Sequence, residues 1–175
     1  MARSSLRDFQ ENLARRLANA AMHDAQQSRL VVESGARLWL FQLPDAGEVM
    51  PMPWLTRVPL TRRWYNGLVN VRGALHGMVD FADFCGYGVT QKSNESAFLL
   101  CGQRHGLNVG LLVRKVVGLR NAQEFTAAQG GEAGKPWIAA VLNDHEGREY
   151  REVNVAQLVR DPAFMDISVG AGVMA

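Results

Sequence analysis

Apolar residues recur along the chain with two periods, and the change falls near residue 29. Leu6, Phe9, Leu13, Leu17 and Ala20 follow one another at steps of three and four, with Ala21 beside them, which is the spacing of one helical face. Residues 1–28 contain no glycine or proline, and Ser5 followed by Asp8 supplies a start signal. This segment is predicted to be an amphipathic helical arm. Its stripe is narrow, and suits a helix packed on its own domain as well as an arm that docks on a partner.

From Leu30 the pattern shortens to strands. Strands are predicted over 30–32, 37–43 and 48–50, the second apolar at nearly every position as expected when both faces are covered. Pro51 and Pro53 stop the third. Residues 54–67 read as a loop or a single helical turn. Strands over 68–72 and 75–81 flank a turn at Gly73-Ala74, and 81–85 closes as a helical turn before Gly86. A polar connection leads to a strand over 97–101, a hairpin turn over 102–106 and a cleanly alternating strand over 107–114, which 116–119 extends or bends. Residues 120–135, with Gly130, Gly131 and Gly134, read as a loop. Strands over 137–142 and 149–153 form a hairpin, Asn154 caps a helix over 155–160, and Pro162 ends it. Residues 169–175 read as a frayed tail. No long helix separates the strands, so a parallel βαβ architecture is not expected. Short strands with glycine turns predict an all-β fold of antiparallel barrels or a sandwich over 29–168.

Composition narrows the function. A chain of 175 residues with 47% hydrophobic and 21% charged residues can bury a core, and its net charge of +2 demands neither nucleic acid nor a membrane surface. The apolar runs over 97–101 and 136–142 fall far below the roughly 20 residues of a membrane span. Arg3, Arg7, Asp8, Glu11, Arg15 and Arg16 break up any signal-peptide core, so the expected location is cytoplasmic. Cys85 and Cys101 read as two buried thiols. His23, His76, His105 and His145 share no ligand spacing, Gly86-Tyr87-Gly88 lacks the third glycine of a dinucleotide site, and there is no phosphate-cradling loop. Asp80 and Asp83 suit a cap or turn better than acid–base chemistry. No enzyme activity, metal or cofactor is expected. One patch interleaves cations with aromatics: Trp54, Arg57, Arg62, Arg63, Trp64 and Tyr65. It can stack bases and neutralise phosphates, form a protein-interface hot spot, or pack its rings inward under solvated arginines.

The chain resembles the CheW family of chemosensory scaffolds. The resemblance is carried by Glu48-Val49, Thr56-Arg57-Val58-Pro59, the run Trp64 to Gly73 with its Asn70-Val71-Arg72-Gly73 tetrad, and Met78-Val79-Asp80-Phe81. A second block, Val109 to Val113 with Val116 to Leu119, follows at the family's separation, and the whole covers about residues 30–165. The family pattern differs at Arg62, Gly77 and Arg114. These departures and the N-terminal arm point to the family branch that serves type IV pilus twitching motility. The resemblance implies two intertwined five-stranded SH3-like barrels and a non-enzymatic adaptor in a receptor array at the inner membrane, without direct membrane insertion. It implies two partners, the cytoplasmic tip of a methyl-accepting chemoreceptor and the regulatory domain of a CheA-type histidine kinase. Carried over to this chain, Glu48, Val49, Asn70, Arg72, Gly73 and Val113 are the candidate receptor-binding residues, near a groove between barrels. Val32, Leu38 and Leu40 are the candidate kinase-binding residues. Arg72 suits either a partner contact or an internal ion pair that holds the barrels together. A single-stranded nucleic-acid binder built on the Arg/Trp patch and a small-ligand or flavin-binding barrel are the other readings the sequence leaves open.

Overall fold

The computed structural model describes residues 6–128 and 135–169. Helix α1 (Leu6–Gln27) leads into β1 (Ser28–Ser34), β2 (Arg37–Gln42), β3 (Glu48–Pro51) and β4 (Leu55–Thr56). The hairpin β5 (Tyr65–Val71) and β6 (Ala74–Asp80) ends in α2 (Phe81–Phe84). Strands β7 (Ala97–Cys101), β8 (Val109–Val113), β9 (Lys115–Asn121) and β10 (Thr126–Ala127) follow. The chain closes with β11 (Ile138–Asn143), β12 (Glu149–Val153), α3 (Val155–Leu158) and α4 (Pro162–Met165).

Two six-stranded sheets result. Sheet 1 runs β10-β11-β12-β2-β1-β9, and sheet 2 runs β3-β7-β8-β6-β5-β4. The all-β class is as predicted. The ladders give six strands to each sheet, where the resemblance implied five to each barrel. They are also mixed rather than antiparallel throughout, because β12 pairs parallel to β2 and β6 parallel to β8. A parallel pair needs a long crossover, and among the described residues no long helix supplies it. The crossover from β2 to β12 contains the whole of sheet 2 and strands β9, β10 and β11 of sheet 1.

The main core lies between the sheets, where Val32, Trp39 and Phe41 of sheet 1 meet Val79, Leu99, Leu111 and Val113 of sheet 2. A second cluster of Val69, Val71, Met78, Phe98, Leu100 and Leu112 sits on the other face of sheet 2, covered by Met50, Met52 and Leu55. Sheet 2 therefore curls over its own small core. Sheet 1 does the same around Val31, Leu40, Phe125 and Tyr150. Burial on both faces explains why β7 and β8 are buried at every position.

Two glycines are fixed by close approach. A Cβ on Gly67, where φ is +136°, would stand 2.2 Å from the Thr56 carbonyl oxygen. A Cβ on Gly110 would stand 2.3 Å from the Phe98 ring.

Three local readings change. Residues 54–67 contain β4, a two-residue strand too short to show a period. Residues 115–121 do not extend β8. The chain leaves sheet 2 at Arg114, whose N–H and Nε donate to the backbone and carboxylate of Glu33 at 3.0 and 2.6 Å, and enters sheet 1 as β9. Pro162 starts a helix instead of ending one, because Asp161 caps α4 by accepting from Ala163 and Phe164 N–H and proline fits the first turn. Ser5, Gly130, Gly131, Gly134 and residues 170–175 lie outside the described residues. Along α1 the side chains from Ala18 to Met22 are all exposed.

Candidate functional site

The Asn70–Gly73 tetrad forms the tip of the β5–β6 hairpin. Val71 pairs with Ala74 and encloses a two-residue turn in which Arg72 has φ +52° and Gly73 φ +87°. Two left-handed residues match the strand twist, and a non-glycine at the first is held there against its preference. Asn70 locks the turn by accepting from Gly73 N–H through Oδ1 at 2.8 Å. The Arg72 side chain is 76% exposed, and its Nη2 donates to Glu48 Oε1 at 2.6 Å. Glu48 opens β3 of the same sheet, so this ion pair does not tie the two sheets together, as one sequence reading allowed.

Val49, the next residue of β3, is 41% exposed and lines a groove of about 380 Å³. The groove runs between two unpaired strand edges, β3 of sheet 2 and β9 of sheet 1. Met50, Pro51 and the 94–97 segment form one wall, Lys115 and Val116 the other. Lys115 Nζ donates to Glu95 Oε1 at 2.6 Å, and this hydrogen bond and its charge hold the Glu95 carboxyl below its ordinary range. Sequence reading missed the pairing of Glu95 with Lys115, which stand 20 residues apart and meet only through the sheet-to-sheet crossing.

The remaining candidates divide. Val113 is fully buried in the main core and offers no side chain to a partner. Val32 is also fully buried there, paired with Trp39. Leu40 is fully buried on the opposite face of sheet 1, with half-buried Leu38 beside its cluster. Period-two alternation thus puts Val32 on one face and Leu38 and Leu40 on the other.

The Arg/Trp patch also divides. Trp64 stacks on Phe164 and meets Phe84 edge-on, and Tyr65 lies over Gly77, so both rings are half-buried. Arg62 pairs with Asp166, and Arg63 with Asp83. Asp80 is buried and caps α2, accepting from Asp83 N–H and from the N–H and hydroxyl of Thr90 at 3.3, 2.8 and 2.6 Å. Both acidic residues are spoken for structurally. The thiols are inert, since burial pushes Cys85 and Cys101 up to about 12. Among the described residues no three of His, Cys, Asp and Glu gather as a metal site, and no helix is long and apolar enough to cross a membrane.

Comparisons with known proteins converge on one family. The CheW-like domain profile matches residues 28–163. Protein PilI of Pseudomonas aeruginosa is 27% identical over 140 residues, covering 77% of this chain and 76% of its own. The crystal structure of the scaffolding protein TtCheW from Thermoanaerobacter tengcongensis superposes with a TM-score of 0.62 at 18% identity, covering 73% of this chain and 88% of that one, so the fold is shared. With the profile spanning most of its length, this chain belongs to the CheW-like family, the non-catalytic scaffold proteins of chemotaxis-type signalling.

Proposed function

We propose that this protein couples the cytoplasmic tip of a transmembrane chemoreceptor to the regulatory domain of a CheA-type histidine kinase, in an array that controls type IV pilus motility. Its similarity to PilI supports the pilus branch. The observation that carries the reading is Arg72: an exposed guanidinium held at positive φ on a locked turn and aimed by Glu48. A residue kept in an unfavourable backbone region at an exposed tip is a mark of function. Val49 and the β3–β9 groove continue the surface from Glu48, in a shape that suits a helical hairpin. In this reading Glu48, Val49, Asn70, Arg72 and Gly73 form the receptor surface, with Val113 beneath it. The kinase surface lies on sheet 1 around Leu38, with Val32 and Leu40 as internal supports. Residues 1–28 act as an arm on the 29–168 domain, and the protein sits in the cytoplasm and is recruited to the array without entering the membrane.

Binding of the purified chain to a receptor-tip fragment and to the kinase regulatory domain, measured by calorimetry, tests this. Saturable micromolar binding to both is expected, with Asn70→Ala and Arg72→Ala weakening the receptor arm alone. Absence of binding to both partners refutes the coupling role.

A further inference from the structure

A second exposed surface lies at the other end of β5. Seven strand residues separate it from the Arg72 turn, which is roughly 20 Å at the strand rise. Leu60 lies there, 81% exposed at φ +58°, whereas the exposed Trp54 precedes Leu55, which pairs with Val69, and so stands near the Arg72 end. Leucine gains nothing locally from the left-handed region, and water does not favour its side chain. Yet the loop is fastened in this shape. Arg62 N–H donates to Ile167 C=O at 2.8 Å, Val169 N–H to Leu60 C=O at 3.0 Å, and the Thr61 hydroxyl to Val58 C=O at 2.8 Å. Arg62 Nε adds a bond to the Asp166 carbonyl at 2.6 Å. A strained leucine displayed on a braced loop resembles the rigid apolar anchor of an interface.

Beside it opens a recess of about 340 Å³ whose cations are Arg57, Arg62, Arg63 and Lys92. Asp166 and Asp83 neutralise Arg62 and Arg63. Among the described residues no carboxylate lies within ion-pair distance of Arg57 or Lys92, so the recess carries a local excess of positive charge in a chain whose net charge is only +2.

We propose that this loop and recess form a second docking surface, for an acidic protein segment that carries an apolar side chain among its carboxylates. Arg57 and Lys92 take the carboxylates, and Leu60 covers the apolar side chain. Nucleic acid fits less well. Trp64 stacks on Phe164, Leu60 cannot stack, and Tyr65 is the one ring that lines the recess, so there is no row of aromatic platforms. The half-exposed carboxylate of Asp166, paired with Arg62, would also repel a phosphate chain. The surface is distinct from the Arg72 turn and does not depend on the receptor reading.

The full chain is titrated with a peptide of alternating glutamate and leucine by isothermal titration calorimetry. The expected result is saturable binding that weakens as salt is added. The double variant Arg57→Glu with Lys92→Glu loses at least tenfold in affinity, as does Leu60→Gly, which removes the anchor while relieving the backbone. Arg72→Gly binds the peptide as wild type does, which separates this surface from the receptor site. No binding of the peptide overturns the proposal, as does equal affinity in the variants. Tighter binding of oligo-deoxythymidine or of phosphatidylglycerol vesicles overturns it in favour of those partners.

Discussion

Replacing Arg72 by glycine separates recognition from folding. The arginine occupies φ +52°, a region that costs a non-glycine residue about 1–2 kcal/mol. Glycine relieves that strain but gives back about 0.5–1 kcal/mol through the greater freedom of the unfolded chain. It also removes the Glu48 pair, which at 76% and 36% exposure is a solvent-screened contact worth about 0.2–1 kcal/mol. The three contributions nearly cancel, leaving a net change within about 1 kcal/mol of zero. For a domain of this size that is a shift of no more than about 2–4 °C in the melting midpoint. The Asn70 to Gly73 hydrogen bond that closes the turn survives, since its donor is backbone. Arg72→Gly therefore melts close to wild type by differential scanning calorimetry while its affinity for the receptor-tip fragment falls at least tenfold. A midpoint more than about 6 °C lower would show that Arg72 holds the fold, and unchanged affinity would remove it from the receptor surface.

Three further outcomes follow from the packing. Gly67→Ala puts a Cβ 2.2 Å from the Thr56 carbonyl at φ +136°, and is expected to cost more than about 2 kcal/mol by urea denaturation; a cost below about 0.5 kcal/mol would mean that β4 moves aside easily. Burial alone would raise the Asp144 carboxyl, but hydrogen bonds from Arg148, the Tyr150 hydroxyl and Glu146 N–H outweigh it and hold it well below its ordinary 3.8. The unfolded chain then binds the proton first, so the carboxylate's stabilisation is complete above about pH 4 and fades as pH falls below it. Asp144→Asn should accordingly melt below wild type at neutral pH, with a gap that narrows between about pH 5 and 2; a constant gap refutes this. With both thiols pushed up to about 12, only about one in ten thousand is thiolate at pH 8, so a disulfide reagent should label neither Cys85 nor Cys101 until denaturant is added.

The elements most legible in sequence were those whose burial follows a period. Strand β12 lies over 149–153 as predicted, and α2 and its Gly86 ending were visible because Phe81-Ala82-Asp83-Phe84 breaks the period-two pattern. The Asn70–Gly73 turn was visible as a motif, but its register was not. The reading put the turn at Gly73-Ala74, because nothing marks Arg72 as a residue that accepts positive φ. Val113, Val32 and Leu40 show a different limit. A continuous apolar run says that both faces of a strand are covered, not whether a partner or the chain itself covers them. Here Val113 and Val32 lie in the cluster between the sheets and Leu40 in the cluster with Phe125 and Tyr150, and each cluster draws on strands distant in sequence. The Arg/Trp patch failed likewise: six neighbouring residues promised one surface, and the bend from β4 into β5 turned Trp64 inward while leaving Trp54 out.

The sheet topology explains how this chain can keep a groove between two strand edges without pairing to copies of itself. Unpaired edges invite strand addition. On sheet 2 the edge strand β3 is four residues long and ends at Pro51, which has no N–H to offer a neighbour. On sheet 1 the edge strand β9 carries Lys115 and Arg120, and its register with β1 shifts between Val31 and Val32, a bulge that twists the edge away from a flat template. The crossing at Arg114, clamped to Glu33, sets the two edges side by side. Each edge then lies beside the other across the groove, which is open to side chains from a partner. A groove of that kind can bind a helical partner reversibly and still resist aggregation, as the coupling role proposed above requires.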